Sequence, residues 1–175
     1  MNILVFKYKK RKILSIYRKF NENNNTWNVI AIPNGEIEIN NKKYPYLFYE
    51  YETNFSQEIK EGFIVENKNA INFLEEKLKI LRLNEKEMTD FITYWLPILI
   101  KNKLSICTFQ TQKFFDYFQL NITPKSDSLI RISITIKKID TPYINIKEQK
   151  LEKALLLLNG EEQIFKILTK LKYSY

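Results

Sequence analysis

Residues 83–100 read LNEKEMTDFITYWLPILI, and this stretch decides more of the fold than any other. Asn84 is a good helix N-cap and Glu87 stands three residues later, which makes an Asn-led analogue of the capping box. Leu83 before the cap and Met88 after it form the matching hydrophobic staple. A helix is therefore predicted here, and its apolar face is formed by Phe91, Ile92, Trp95 and Leu99.

The residues just before this stretch predict a second helix. Asn67 can cap it, and its apolar residues recur at spacings of three and four: Ile71, Leu74, Leu78 and Leu81. We therefore expect a helical hairpin, with helices over 68–82 and 85–101 and a very tight connection. Pro97 removes one internal hydrogen bond, so it should kink or end the second helix.

Strands are predicted on the N-terminal side of this hairpin, at residues 3–8, 13–20, 27–32, 36–39, 44–50 and 62–65. The first two are expected to be joined by the basic turn 9–12. Asn34-Gly35 predicts a hairpin turn because both residues tolerate positive φ, and 40–43 marks another turn. Pro45 cannot donate a ladder hydrogen bond, so we expect it at a strand start or on an edge.

Strands return after the hairpin, at residues 104–110 and 117–122. Between 130 and 137, isoleucines alternate with polar residues without a break, which predicts one strand with one buried face. After Pro142 the period becomes helical. The two predicted stripes are separated by a C-cap signal at Asn159-Gly160 and consist of Leu151, Ala154, Leu155 and Leu158, then Ile164, Ile167, Leu168 and Leu171.

The order of these elements predicts an α+β fold, with mostly antiparallel sheets, a central helical hairpin and C-terminal helices. We expect a single domain over 1–175. It would contain basic N-terminal strands in 1–20, a core in 27–140 and a helical tail in 147–175.

The composition excludes several kinds of chemistry. Histidine is absent and Cys107 is the single cysteine, so His-based triads cannot form and a zinc site is not expected. The three glycines cannot assemble a phosphate-binding loop. No cofactor is expected, and Cys107 should be a buried, inert thiol because no histidine can activate it.

The hydropathy pattern predicts a soluble, intracellular protein. The apolar residues 1–5 precede the basic run instead of following it, which is the wrong order for a signal peptide. The longest apolar stretch, 94–100, is far shorter than the ~20 residues of a membrane helix. The lysine, asparagine and isoleucine bias suits an AT-rich genome, such as that of a large DNA virus or a parasitic bacterium, and in a virus a virion component is an option.

Most of the net charge of +8 lies in the first twenty residues, which contain no acid. Their cations are candidate nucleic-acid contacts: Lys7, Lys9, Lys10, Arg11, Lys12, Arg18 and Lys19. The aromatic residues of 44–51 could stack bases, or could form core and cross-strand pairs. The alternative reading of the basic run is a solvated face produced by the lysine bias.

Three residues are candidates for a carboxylate-based enzyme site that could use Mg²⁺. Glu50 ends an aromatic strand, and Asp127 and Arg131 lie in an otherwise apolar motif, where Arg131 could orient an anionic substrate. Structural roles explain the same residues, since Asp127 suits a turn and Arg131 can pair with an acid. Asp90 likewise suits the first turns of its helix.

Three motifs resemble a family of uncharacterised proteins from bacteria, archaea and fungi. They are YPYLFYE (44–50), DFITYWLP (90–97) and ITPKSDSLIR (122–131), and the similar order and spacing extend over 27–140. The family usually opens with a pattern like KPVIYLYPE, where this chain has the basic segment 3–12. It usually closes on a Trp-Gly-Gly-type segment, where this chain has a leucine-rich tail. The resemblance implies one mixed domain and no particular activity, because none is established for the family.

These observations favour a non-catalytic interaction or structural domain that acts through a protein partner or by self-association through the C-terminal helices. A nucleic-acid-binding protein and a carboxylate enzyme remain as the two alternatives.

Overall fold

The computed structural model describes residues 3–8, 12–17, 21, 26–32, 36–52, 58–110, 112–117, 120–123, 128–141, 146–151 and 164–168. The chain divides into two compact units. The first unit comprises Met1–Phe55, Thr111–Ile132 and Leu157–Tyr175, and the second comprises Ser56–Gln110 and Ser133–Leu156. The expectation of a single domain over 1–175 stays a prediction.

Thirteen strands and three α-helices are present among the described residues. The strands are β1 (Ile3–Tyr8), β2 (Lys12–Tyr17), β3 (Thr26–Ala31), β4 (Ile37–Ile39), β5 (Lys42–Tyr44), β6 (Phe48–Glu52), β7 (Glu61–Glu66), β8 (Leu104–Phe109), β9 (Leu120–Thr123), β10 (Ser128–Ile132), β11 (Ile134–Lys138), β12 (Lys147–Glu148) and β13 (Ile164–Leu168). The helices are α1 (Ala70–Ile80), α2 (Glu85–Ile100) and α3 (Gln112–Tyr117), and a 3-10 turn at Asn67–Asn69 precedes α1. This mixture, with mostly antiparallel sheets and a helical hairpin, confirms the α+β class.

The second unit contains a four-stranded sheet in the order β11-β8-β7-β12. The two inner pairings are antiparallel, and β12 runs parallel to β7. Facing residues of the three longer strands share one buried surface, formed by Phe63, Val65, Ser105, Cys107, Phe109, Ile134 and Ile136. The α1 helix packs on this surface, because the Phe73 ring lies 5.4 Å from that of Phe63 and 6.3 Å from that of Phe109.

The α1–α2 pair confirms the predicted helical hairpin. The Asn84 side chain accepts a 2.9 Å hydrogen bond from the Glu87 backbone, and the Glu87 carboxylate accepts one of 2.7 Å from the Asn84 backbone. Leu74 and Leu78 of α1 are completely buried. Burial of a leucine side chain stabilises the folded state by roughly 1.5–3 kcal/mol, so the hairpin is held mainly by its apolar face.

One detail of the hairpin differs from prediction. The first helix begins at Ala70 after the 3-10 turn, so its N-cap is Asn69 and not Asn67, and Asn69 makes no side-chain cap bond. Pro97 lies inside α2, which ends at Ile100.

The first unit contains a five-stranded sheet in the order β5-β4-β3-β1-β9, together with the pairs β2–β6 and β10–β13. The two predicted N-terminal strands form, but they do not pair with each other. β1 lies between β3 and β9, and β2 pairs with β6. The basic turn predicted between them gave no information about partners, because strands separated by a turn need not share a ladder.

Hairpins form on both sides of β4, as predicted. The β3–β4 pairing confirms the hairpin at Asn34-Gly35, although these two turn residues lie outside the described part. The β4–β5 turn is made by Asn40 and Asn41, whose φ values of 50° and 61° fit a two-residue hairpin turn of type I′. The predicted strand 44–50 is divided at Pro45, which follows β5 directly.

Two C-terminal predictions are wrong, and a third, the strand at 117–122, agrees in part. The strand predicted at 117–122 begins only at Leu120, because Tyr117 ends helix α3. The isoleucine run 130–137 is divided between β10 and β11 by Ser133, which is itself buried. Residues 164–168 form a strand parallel to β10 instead of the predicted last helix, since pairing with a distant strand overrides their helical spacing.

The helix predicted around Leu151, Ala154, Leu155 and Leu158 lies mostly outside the described residues. Leu151 itself lies in neither a helix nor a strand.

Candidate functional site

The second unit has a surface groove of about 550 Å³ along strand β7, here called the β7 groove. Strand β7 forms one wall through Gly62–Glu66. The 3-10 turn and α1 form another through Asn69, Asn72, Phe73, Glu76 and Lys77, and the segment at Ile146 and Glu148 closes one end.

The floor of the β7 groove is aromatic. The Phe63 ring is almost buried and packs on Phe73 and Phe109. Lys77 Nζ lies 4.7 Å from the Phe63 ring centroid, and the Lys77 side chain is only 13% exposed. Its ammonium is held by Glu76, at 2.8 Å from Oε1, and by the face of the ring. The floor is therefore a packed apolar surface with one fixed cation.

The rim of the β7 groove is mainly acidic. Three carboxylates, those of Glu66, Glu76 and Glu148, line it against the single ammonium of Lys77. Glu66 also pairs with Lys68 at 2.8 Å, but both side chains are more than half exposed. An exposed pair of this kind contributes little stability, and solvent or another cation can replace the partner.

The outer edge of β7 carries backbone groups that do not face β8. In an antiparallel ladder, successive residues point their N–H and C=O groups to opposite sides. The Asn67 N–H donates to the Lys103 carbonyl at 3.2 Å, so this series, which includes Val65, faces β8. Ile64 and Glu66 therefore face outward, toward the side on which β12 lies.

Strand β12 covers only the beginning of this edge. It pairs with Glu61 and Gly62, and the Gln149 N–H donates to the Gly62 carbonyl at 3.4 Å. Among the described residues, no strand lies beside Ile64 or Glu66 on that side. Ile64 is also 39% exposed, which is high for an isoleucine in a sheet. In the part of the chain that the structure describes, the β7 groove thus runs beside an open strand edge.

Two contacts fix the closed end of the groove. The Gln149 side-chain amide accepts from the Phe109 N–H at 2.9 Å and donates to the Phe109 carbonyl at 2.8 Å, as a neighbouring strand would. Gly62 lies so close to β8 that a Cβ atom would stand 2.9 Å from the Cys107 carbonyl oxygen. A larger residue at Gly62 would force the two strands apart.

Glu50, the first enzyme candidate, lies on β6. It faces Ser15 of β2 in the two-stranded β2–β6 sheet of the first unit, and it is half-buried. Asp127, its proposed partner, lies outside the described residues. The carboxylate site therefore stays a prediction.

Arg131 lies on β10 in the first unit. Its guanidinium carbon stands 4.7 Å from the centroid of the Phe115 ring, so it makes a cation–π contact with helix α3. This position accounts for a half-buried arginine without any substrate. The predicted pairing of Arg131 with an acid stays a prediction.

The basic N-terminal candidates fall mostly outside the described part. Lys7 lies on β1 and Lys12 on β2. The other candidates, Lys9, Lys10, Arg11, Arg18 and Lys19, lie outside the described residues, so nucleic-acid contact by this segment stays a prediction.

Cys107 is buried in the sheet of the second unit. Burial raises the pKa of its thiol well above the ordinary value, because the thiolate would lose its hydration. A thiolate nucleophile is therefore disfavoured at this position. Asp90 lies half-buried near the middle of α2.

Within the described ranges, no three His, Cys, Asp or Glu side chains come together in a way that could hold a metal ion. Nor does any helix in those ranges have the length and apolar character to cross a membrane.

No family model, no curated protein and no solved structure matches the chain. The resemblance of residues 27–140 to an uncharacterised family stays a prediction.

The residues of the β7 groove were not among the sequence-based candidates. The strand at 62–65 was predicted, and its alternation places Phe63 and Val65 opposite Ile64. An open edge has no local signature, however, because it depends on how far the neighbouring strand extends.

Proposed function

We propose that this chain is a non-catalytic protein-interaction domain whose β7 groove binds an extended segment of a partner by strand addition. The observation that carries this proposal is the open outer edge of β7 beside an aromatic floor. Main-chain hydrogen bonds to such an edge provide affinity, and pockets for alternate side chains provide specificity.

The register of β7 defines what the bound segment would look like. Its main chain would bond to the outward N–H and C=O of Ile64 and to Glu66. Residues opposite Phe63 and Val65 would point toward the face on which Phe73 lies, so apolar side chains suit these positions. The acidic rim favours lysine or arginine elsewhere in the segment. The preferred ligand is therefore an extended peptide that alternates apolar and basic residues.

A binding assay with defined peptides tests the proposal. The probe is a fluorescein-labelled octapeptide of alternating lysine and valine, followed by fluorescence anisotropy. Two comparison peptides separate charge from main-chain pairing: alternating glutamate and valine, and the lysine–valine peptide with every backbone nitrogen methylated, which removes the ladder donors for either strand direction. We expect saturable binding of the first peptide alone, because N-methylation removes the donors that a ladder needs.

Two pairs of variants locate the site. Ile64→Lys places a charge on the open edge and should weaken binding of the lysine–valine peptide at least about tenfold, or ~1.4 kcal/mol. Ile71→Lys is the matched control, since Ile71 is 50% exposed on α1 outside the groove. Glu148→Lys should also weaken binding, whereas Glu75→Lys, exposed outside the groove, should not.

Equal affinity for the N-methylated peptide would contradict strand addition. Equal loss of peptide affinity in Ile64→Lys and Ile71→Lys would show that the peptide does not bind at the β7 groove.

A further inference from the structure

A second binding surface is carried by the first unit, and the reasons for it do not depend on the β7 groove. We propose that the exposed face of the β2–β6 sheet, here called the tyrosine face and formed by Tyr17, Phe48 and Tyr46, binds single-stranded nucleic acid by base stacking.

The first observation is the arrangement of the aromatic rings. Tyr17 of β2 faces Phe48 of β6 in register, so their side chains leave the sheet on the same side. Tyr46 lies two residues before Phe48 in the sequence, just ahead of β6. Neighbouring rings on one sheet face are the arrangement on which successive bases stack.

The second observation is exposure. Tyr17 is 56% exposed and Tyr46 is 43% exposed, although each ring could remove a large apolar area from water. Phe48, which faces Tyr17 across the two strands, is half-buried. Ile16, the next residue along β2, points to the opposite side of the sheet. The tyrosine face therefore presents aromatic surface to solvent.

The third observation is charge. The first unit contains 15 basic and 9 acidic residues, whereas the second unit contains 13 basic and 11 acidic residues. Most of the net charge of +8 thus belongs to the unit that carries the tyrosine face. Arg18 and Lys19 follow Tyr17 directly in the sequence, and Lys42 and Lys43, both exposed on β5, lie just before Tyr46. A polyanion with exposed bases is the ligand that combines these two preferences.

Base stacking predicts a preference for single-stranded over double-stranded nucleic acid. A single strand offers its base faces to the tyrosines, whereas a duplex hides those faces within its own stack. Phosphate contacts alone would bind both forms. The tyrosine face should therefore prefer a single strand to a duplex at the same salt concentration, with little dependence on base sequence.

The test uses the full chain and a fluorescein-labelled dT12 oligonucleotide, with anisotropy measured across a salt series. Tyr17→Ala and Tyr46→Ala should each weaken binding by roughly 5- to 150-fold, the range for loss of one stacked base. Tyr17→Phe should keep most of the affinity, because the ring remains. Tyr117→Ala is the matched control, since Tyr117 is 51% exposed on α3 of the same unit, and Ile71→Ala, at a half-exposed position on α1 of the second unit, is a second control. Both controls should bind as the unchanged chain does.

A second measurement keeps the proposal open to refutation even if an alanine variant fails to fold. A dT12 strand that carries 5-iodouracil is photocrosslinked to the unchanged chain, and the attached peptide is identified by mass spectrometry. Attachment at Tyr17, Tyr46 or Phe48 supports the tyrosine face. Attachment elsewhere, equal loss in Tyr117→Ala, or alanine variants that bind as tightly as the unchanged chain would overturn it.

Discussion

The two units differ in how far apart along the chain their paired strands lie. In the second unit, β7 and β8 are joined through the α1–α2 hairpin, β11 pairs with β8 after residues 111–132, and β12 pairs with β7, so none of the described pairings is a tight hairpin. In the first unit, β1 pairs with both β3 and β9, and β10 pairs with β13. Pairing of distant strands requires closure of long loops before any contact repays the lost entropy. The first unit therefore combines distant pairings with the tight hairpins on both sides of β4, whereas every described pairing of the second unit joins strands separated by a longer stretch of chain.

The units also differ in the surfaces that they present. The β7 groove has an acidic rim and an open strand edge, whereas the tyrosine face belongs to the unit with most of the positive charge. These surfaces suit ligands of opposite charge. Separate binding sites on the two units would make the chain an adaptor between a basic peptide and a nucleic acid.

The largest expected effect tests whether the two units unfold together. Leu78 of α1 is completely buried, so Leu78→Ala should lower the free energy of unfolding by about 2–5 kcal/mol. Each unit contains one tryptophan, Trp27 in the first and Trp95 in the second. Tryptophan-to-phenylalanine variants therefore let fluorescence report the two units separately during urea unfolding. We expect Leu78→Ala to shift both reports, because the chain passes between the units four times.

A shift confined to the Trp95 signal would show that the units unfold independently, and the comparison would become one between two domains. Ile71→Ala is the control, because Ile71 is half exposed and its loss should change stability by no more than about 0.5 kcal/mol.

The next effect concerns the buried thiol of the second unit. Burial raises the pKa of Cys107, so the thiol stays neutral in the folded chain while the unfolded chain loses the proton above about pH 8.5. The unfolded state then binds fewer protons than the folded state, and stability falls as pH rises. The contribution approaches about 1.4 kcal/mol per pH unit. Urea unfolding between about pH 8 and pH 10.5 should give a flatter profile for Cys107→Ala than for the unchanged chain. Parallel profiles would mean that the folded chain already accommodates the thiolate.

The smallest effect compares the two helix caps of the hairpin. Asn84→Ala removes a capping-box bond and should cost about 1 kcal/mol in urea unfolding. Asn69→Ala changes the same residue type at the N-cap of α1, where no side-chain cap bond exists, and should cost much less. Equal costs would show that the bond itself contributes nothing measurable.

The predicted and observed structures agree where the signal is local. The α2 start could be predicted from Asn84 and Glu87 because both partners of the cap lie within one turn. The β4–β5 turn was predicted for the same reason, since Asn40 and Asn41 favour positive φ by themselves.

The disagreements have a common physical cause. The isoleucine alternation at 130–137 is uninterrupted in the sequence, yet the chain changes sheets at Ser133 because its two halves find different partners, β13 and β8. Residues 164–168 have helical spacing but pair with β10. The spacing of apolar residues does not identify which distant strand a segment pairs with. The open edge at Ile64 could not be predicted for the same reason, because it also depends on a distant strand.

A 2.9 Å hydrogen bond from the Gln110 N–H to the Ser133 carbonyl links the two points at which the chain leaves and re-enters the second unit. The chain leaves this unit at Gln110 and returns at Ser133, directly opposite in the β8–β11 ladder. Residues 111–132 are thus an excursion whose two ends meet at one rung. An Asn-Gly turn in their place would convert β8 and β11 into an ordinary two-residue hairpin, so the excursion could be exchanged without any change in the register of that sheet.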